Sequence, residues 1–242
     1  MPSRERNRLL AALPLPDRQR LAAQAERVEL TPGQVLMDVT AQPRFVYFPE
    51  GGLIALLGDT HEGRSVALVH TGSEGMIGIS TLLLGEAAVA RAVVQIPAPA
   101  CRVRATLLRA ELNRGGTLQP VLLRYGYTLF RQMAVSMTCV ALHAMPQRLA
   151  RWLLEAHDRV GDAAIEITQE KIADLLAVQR GGISELAANW QDDGFIRVRH
   201  GRIRVIDRPQ LEALACECYA MNRAEVAGLD EALNRPIARA RT

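Results

Sequence analysis

The chain has 242 residues, 49% of them hydrophobic, which suits one large domain or two modest ones. Its net charge of +3 neither demands nor excludes a nucleic-acid partner, so the clustering of basic residues has to decide. Aromatics at 4% argue against a protein that stacks single-stranded bases on aromatic platforms, and four cysteines in a chain of this size make no secreted disulfide framework.

The N-terminus, MPSRERNRLLAALPLPDRQR, is charged and lacks the apolar core of a signal peptide. No apolar run approaches the ~20 residues of a membrane span. A cytoplasmic protein with no membrane partner is the expectation. Leu9, Leu10 and Leu13 share one helical face, Pro14 and Pro16 interrupt it, and Asp17 is placed to cap a second short helix through Leu21 and Ala25. From about Val28 to Val103 short apolar runs alternate with turn signals such as Thr31-Pro32-Gly33, Glu50-Gly51-Gly52 and His61-Glu62-Gly63. Segments 45–48, 53–57, 65–69, 92–96 and 101–103 read as strands of a small all-β roll or barrel.

The glycine turns then stop. Residues 118–143 read as one long helix, with Leu122, Tyr125, Leu129, Met133, Ser136 and Val140 recurring at steps of three and four. The economical cover for that stripe is the same helix of a second copy; packing on the chain's own roll is the alternative. Met145-Pro146 punctuates the helix, and Leu149, Trp152, Leu153 and Ala156 form the inner face of the next. The expected organisation is α+β: an N-terminal antiparallel β-roll (jelly-roll-like) with its leading helices over 1–117, a dimerisation helix and hinge over 118–145, a winged helix-turn-helix over 146–210, and a helical tail with a basic end over 211–242.

Residues 165–206 carry the chemistry. Thr168 sits at an N-cap with Glu170 in the first turn, and Ile172, Leu175 and Leu176 form a buried face. A turn at Ala177-Val178 leads to a second helix opening near Gln179. Its inner arc holds Ile183, Leu186, Ala187 and Trp190; its outer arc holds Arg180, Gly181, Ser184, Glu185 and Ala188. Small outward residues let a backbone approach a major groove, and an arginine near the start can reach O6 and N7 of guanine. A hairpin follows, turning at His200-Gly201, with Ile196, Val198, Ile203 and Val205 on one face and Arg197, Arg199, Arg202 and Arg204 on the other. Four like charges on one ribbon gain by meeting a polyanion such as phosphate. The competing reading is a sensor or adaptor whose wing meets a protein or acidic surface.

The order helix, turn, helix, basic wing resembles the winged helix-turn-helix of the Crp/Fnr superfamily. Thr168-Gln169-Glu170-Lys171-Ile172-Ala173-Asp174-Leu175-Leu176 is similar to its first helix, and Arg180 falls at its guanine-reading arginine. Pro32-Gly33-Gln34-Val35-Leu36, Val46-Tyr47-Phe48-Pro49 and Glu74-Gly75-Met76-Ile77-Gly78 resemble parts of its cyclic-nucleotide-binding-type roll, and Arg148–Leu154 the helix past its hinge. The resemblance implies a homodimer paired through the long helix, a palindromic double-stranded DNA site, and RNA polymerase as a further partner. The implied contacts are Arg180 to a base edge, with Gln179, Ser184 and Glu185 beside it. Thr168 and Gln169 would meet a phosphate, and Arg197, Arg199 and Arg202 the flanking backbone, with His200 near it.

Departures from the family pattern matter as much. Met76 stands where nucleotide binders carry a ribose-binding glutamate, and Arg91 is followed by Ala92 where they carry serine or threonine, so cyclic AMP is not expected. No cysteine precedes Cys101, so an iron–sulfur cluster is not expected either. In the turn, Ala177 replaces a common glycine, at a cost of about 1–2 kcal/mol if that residue is left-handed. Cys216 and Cys218 are one residue apart with no cysteine or histidine pair after them, and the five histidines are scattered, so no metal site is expected. With no nucleophile elbow, phosphate loop or paired carboxylates, no catalytic residue and no enzyme activity are expected.

Overall fold

Two short helices precede the first strand in the computed structural model, which describes residues 6–40, 42–85 and 87–234, with only the backbone of Leu84. Asn7 caps α1 (Arg8–Ala11): its Oδ1 accepts from the Leu9 and Leu10 amides, while its Nδ2 donates to the Pro49 and Gly75 carbonyls at 2.9 and 2.8 Å. One buried side chain thus docks the N-terminus on the roll. α2 (Leu15–Ala22) starts after Pro14, so Asp17 lies inside it and is not its cap. Instead the Asp17 carboxylate accepts from the Thr117 hydroxyl at 2.8 Å and from Arg20 at 2.5 Å. These bonds hold it below its ordinary pKa, Thr117 contributing most, against a smaller opposing effect of burial.

The roll is built from β1 (Glu26–Leu30), β2 (Val35–Met37), β3 (Phe45–Pro49), β4 (Leu53–Asp59), β5 (Ser65–Thr71), β6 (Arg91–Ile96) and β7 (Ala98–Arg104). One antiparallel sheet has the order β1-β7-β3, the other β2-β6-β4-β5. α3 (Ile79–Leu84) and α4 (Ala105–Asn113) close its flank. Leu30, Leu36, Tyr47, Ile54, Ile77 and Val94 fill one core cluster between the sheets. β3 and β4 are buried along nearly their whole length, because both of their faces are covered.

α5 (Leu118–Leu142) is the long helix, and here the structure corrects the expected stripe. Leu122, Tyr125 and Ser136 are buried within the chain, and Leu129 and Met133 are half-buried; of the six residues expected on the stripe, Val140 alone is exposed. Leu122 and Tyr125 pack with Val46, Phe48 and Met76 of the roll, and the Tyr125 hydroxyl donates to the Met76 carbonyl at 3.0 Å. The chain's own roll covers this face. A different stripe stays open: Leu123, Tyr127, Phe130, Ala134, Met137 and Ala141 are exposed, with Phe130 and Met137 at 71% and 72%. Their steps of 4, 3, 4, 3, 4 have the spacing of a coiled-coil seam.

After the break at His143-Ala144, α6 (Met145–Val160) is buried over Arg148–Ala156. It is followed by β8 (Ile165–Glu166), α7 (Gln169–Leu176), α8 (Arg180–Asp192), β9 (Ile196–Arg199) and β10 (Arg202–Val205). The tail is two helices, α9 (Arg208–Leu214) and α10 (Cys218–Asn234), broken at 215–217. α10 runs back along α5, with Leu229 in the roll-side core and Arg131 bound to Glu225 at 2.7 Å. The basic end, 235–242, lies outside the described residues. A polar seam joins α6 to β5: Trp152 Nε1 donates to His70 Nε2 and His70 Nδ1 faces Glu155, both at 3.3 Å, while Arg159 meets Glu74 at 2.5 Å. Because His70 Nε2 accepts, its proton sits on Nδ1 toward Glu155. Burial holds the neutral form and lowers the His70 pKa.

Candidate nucleic-acid interface

Thr168 caps α7, its hydroxyl accepting the Lys171 amide at 3.2 Å. Thr168 itself is exposed, and a helix N-terminus with an exposed cap suits an anion. Ile172, Ala173, Leu175 and Leu176 are buried, and the helix stops at Ala177, whose φ of 51° and ψ of 47° are left-handed. The strain anticipated for that alanine is therefore present.

α8 begins at Arg180 with Gln179 as its N-cap. Ile183, Ala187 and Trp190 face the core, Leu186 is half-buried, and Arg180, Gly181, Glu185 and Ala188 face solvent. A Cβ on Gly181 would meet nothing within 4 Å, whereas one on Gly182 would lie 2.7 Å from the Met145 methyl. Gly182 thus serves the approach of α8 to the start of α6, while Gly181 leaves the outer face slim. Ser184 is half-buried and donates to Gln169 Oε1 at 2.8 Å, so these two residues bridge the helices of the motif. The Arg180 side chain is 67% exposed and stands 3.8 Å from Glu170. An exposed pair at that distance contributes little and is readily exchanged for another anion.

The wing pairs Arg199 with Arg202 and Arg197 with Arg204 directly across its two strands. His200 and Gly201 both have positive φ, 47° and 73°, as the tightest hairpin turn requires. Opposed like charges destabilise a ribbon. Part of that charge is answered inside the chain: β8 pairs with β10, and Glu166 holds Arg202 at 2.8 Å. The expectation of an unopposed arginine face is corrected to this extent. Arg197, Arg199 and Arg204 remain exposed. A Cβ on Gly201 would lie 3.7 Å from the Thr168 methyl, so the wing tip adjoins the N-terminus of α7. Thr168, Arg180 and the wing arginines are all solvent-facing parts of one motif, with Gln169 and Ser184 set deeper.

The first helix of the motif also touches the roll. α7 rests against β5, and Leu53, Ala55, Leu57, Val93 and Ile96 of the roll share one apolar cluster with Leu149, Trp152, Leu175 and Leu176. The outer arc of α8 takes no part in that cluster. No helix among the described residues is long and apolar enough to cross a membrane.

Sequence reasoning missed one cluster altogether. It sought partners for Cys216 and Cys218 downstream, whereas they come from upstream: Cys139 and His143, one helical turn apart at the end of α5. The i, i+4 spacing was visible; its juxtaposition with the α9–α10 loop was not.

Residues 147–214 match the family model described as a Crp-like helix-turn-helix domain. No curated protein matches the chain by sequence. Among solved structures, it is similar to a putative Crp/Fnr-family transcriptional regulator from Eubacterium rectale, with 17% identity over 85% of this chain and 96% of that one, at a TM-score of 0.67. It is similar to FixK2 from Bradyrhizobium japonicum, with 16% identity, 79% and 98% coverage and a TM-score of 0.67. A CRP-family regulator from Thermus thermophilus is 21% identical over 78% of this chain and 96% of its own, at a TM-score of 0.62. Residues 147–214 are thus similar to a Crp-like helix-turn-helix domain, and the chain shares the fold of the Crp/Fnr-family transcriptional regulators it matches.

Proposed function

We propose that the chain is a sequence-specific DNA-binding transcription regulator acting as a homodimer. The observation that carries this is the exposed, slim outer arc of α8, tipped by Arg180 and flanked by the arginine wing. In this reading Arg180 exchanges Glu170 for the edge of a guanine, with Gln179, Ser184 and Glu185 contributing neighbouring contacts. Thr168 and Gln169 meet a phosphate, and Arg197, Arg199 and Arg202 hold the flanking backbone. The open seam of α5 supports the dimer: exposed residues at alternating steps, with Tyr127, Phe130 and Met137 large and apolar among them, match the same seam on a second copy.

A two-fold pair presents two copies of α8, so the site should be a palindrome with half-sites about 10–10.5 base pairs apart. Selection of bound sequences from a random duplex pool tests this; recovery of no shared motif, or of one without two-fold symmetry, counts against it. Any signal read by the roll is proposed to be other than cyclic AMP. Met76 is buried among apolar side chains, and Arg91 is engaged by Asp59 through two hydrogen bonds of 2.8 Å. Titration with cyclic AMP by calorimetry should show no heat of binding.

A further inference from the structure

We propose that Cys139, His143, Cys216 and Cys218 form a mononuclear, zinc-class metal site that clamps the hinge between the long helix and the DNA-binding domain. One ligand atom from each lies within 4.8 Å of all the others. Cys139 Sγ is 3.5 Å from Cys216 Sγ, and Cys218 Sγ is 3.5 Å from His143 Nδ1. A tetrahedral ion with about 2.3 Å bonds to sulfur and about 2.0–2.1 Å to nitrogen sets its ligands roughly 3.5–3.8 Å apart, so only small movements close the site. Three soft thiolates and one imidazole suit zinc; magnesium and calcium require oxygen donors. The ligand atoms crowd around one point, which suits a single ion rather than a multi-iron cluster.

The surroundings fit. His143 offers Nδ1 to the cluster, while its Nε2 faces Glu217 at 3.3 Å, so a carboxylate orients the ring from behind as in metal-bound histidines. Three thiolates on a divalent cation leave one negative charge. The buried guanidinium of Arg151 lies near enough to interact with all three cysteines and that of Arg148 with Cys139 and Cys216, and among the described residues neither Nε has a hydrogen-bond partner. Four protein ligands leave no open position, which makes the site structural rather than catalytic. Its ligands come from the last turn of α5 and its cap, and from the α9–α10 loop and the first residue of α10, just past the matched residues 147–214. An ion there ties the two ends of that domain to the long helix and so fixes where α8 stands relative to it.

The test uses the full chain, purified under reducing conditions. Elemental analysis should find about one zinc per chain. After chelation, added Co2+ should give thiolate charge-transfer absorption and tetrahedral bands that zinc displaces. Cys218→Ser should lower the charge-transfer band by about one third, one thiolate in three. Cys101→Ser, on β7, should leave it unchanged. His143→Ala keeps all three thiols at a half-buried position, so it reports on the site even where a cysteine variant fails to fold; it should weaken Co2+ binding and shift the tetrahedral bands. The proposal is overturned if the wild-type chain holds no zinc and shows no cobalt charge transfer, or if His143→Ala leaves the spectrum as it was. A Cys139–Cys216 disulfide in protein isolated with its thiols blocked would overturn it too.

Discussion

α8 and α5 are both amphipathic helices, yet they relate to their sequences differently. α8 has one apolar arc, and that arc is buried: Ile183, Ala187 and Trp190 inside, Arg180, Gly181 and Glu185 outside. α5 is apolar on two sides. One stripe, with Leu122 and Tyr125, is taken by the roll, while the other, with Tyr127, Phe130 and Met137, is left open. Periodicity orients a helix with one apolar face. With two, it says only that something must cover each, and the tertiary structure decides which cover is internal.

The two stripes of α5 offer the sharpest contrast. Phe130→Glu with Met137→Glu should dissociate the proposed dimer while leaving the monomer folded, because both residues are more than 70% exposed in the single chain. Burying two charges in such a seam costs several kcal/mol in total, on the order of 5. Leu122→Glu should instead unfold the chain. Sedimentation velocity with circular dichroism separates these results, and a Phe130/Met137 variant that stays dimeric would break the comparison.

On α8, Arg180→Ala should remove about 1–3 kcal/mol of discrimination per half-site between the selected site and random duplex, read by competitive binding. Retained discrimination would mean that the outer arc reads sequence elsewhere. Ala177→Gly, in the turn, should stabilise the chain by about 1–2 kcal/mol by removing the left-handed alanine. For a chain of this size each kcal/mol raises Tm by roughly 2–4 °C, measured by thermal denaturation. The smallest effect is expected at the wing: Arg199→Ala should weaken all duplexes alike and reduce the slope of log affinity against log salt by about 0.9. Since the proposed dimer carries two wings, that change applies to each half-site and doubles to about 1.8 for the whole site; an Arg199 variant with an unchanged slope would remove that residue from the phosphate contacts.

Local chemistry made much of the helix-turn-helix motif legible. Thr168 at a cap, His200-Gly201 at a hairpin and alternating arginines are local signals, and each favours its backbone geometry by itself, whereas an alanine at 177 gives no sign of the left-handed stop found there. The pairing of Arg202 with Glu166 was not legible, because β8 reaches β10 only after two helices have folded back. The break of the tail at 215–217 and its return along α5 were hidden for the same reason.

The sequence by itself determined the elements whose stability is local: the central strands of the roll, the Thr168 cap, the wing, and the alternation that turns arginines outward. Only the tertiary structure decided which face of α5 the roll would claim, and that Cys139 and His143 would meet Cys216 and Cys218. Contacts between segments far apart in the chain depend on how whole layers stack, and burying apolar area drives that stacking without direction. No local spacing encodes its outcome.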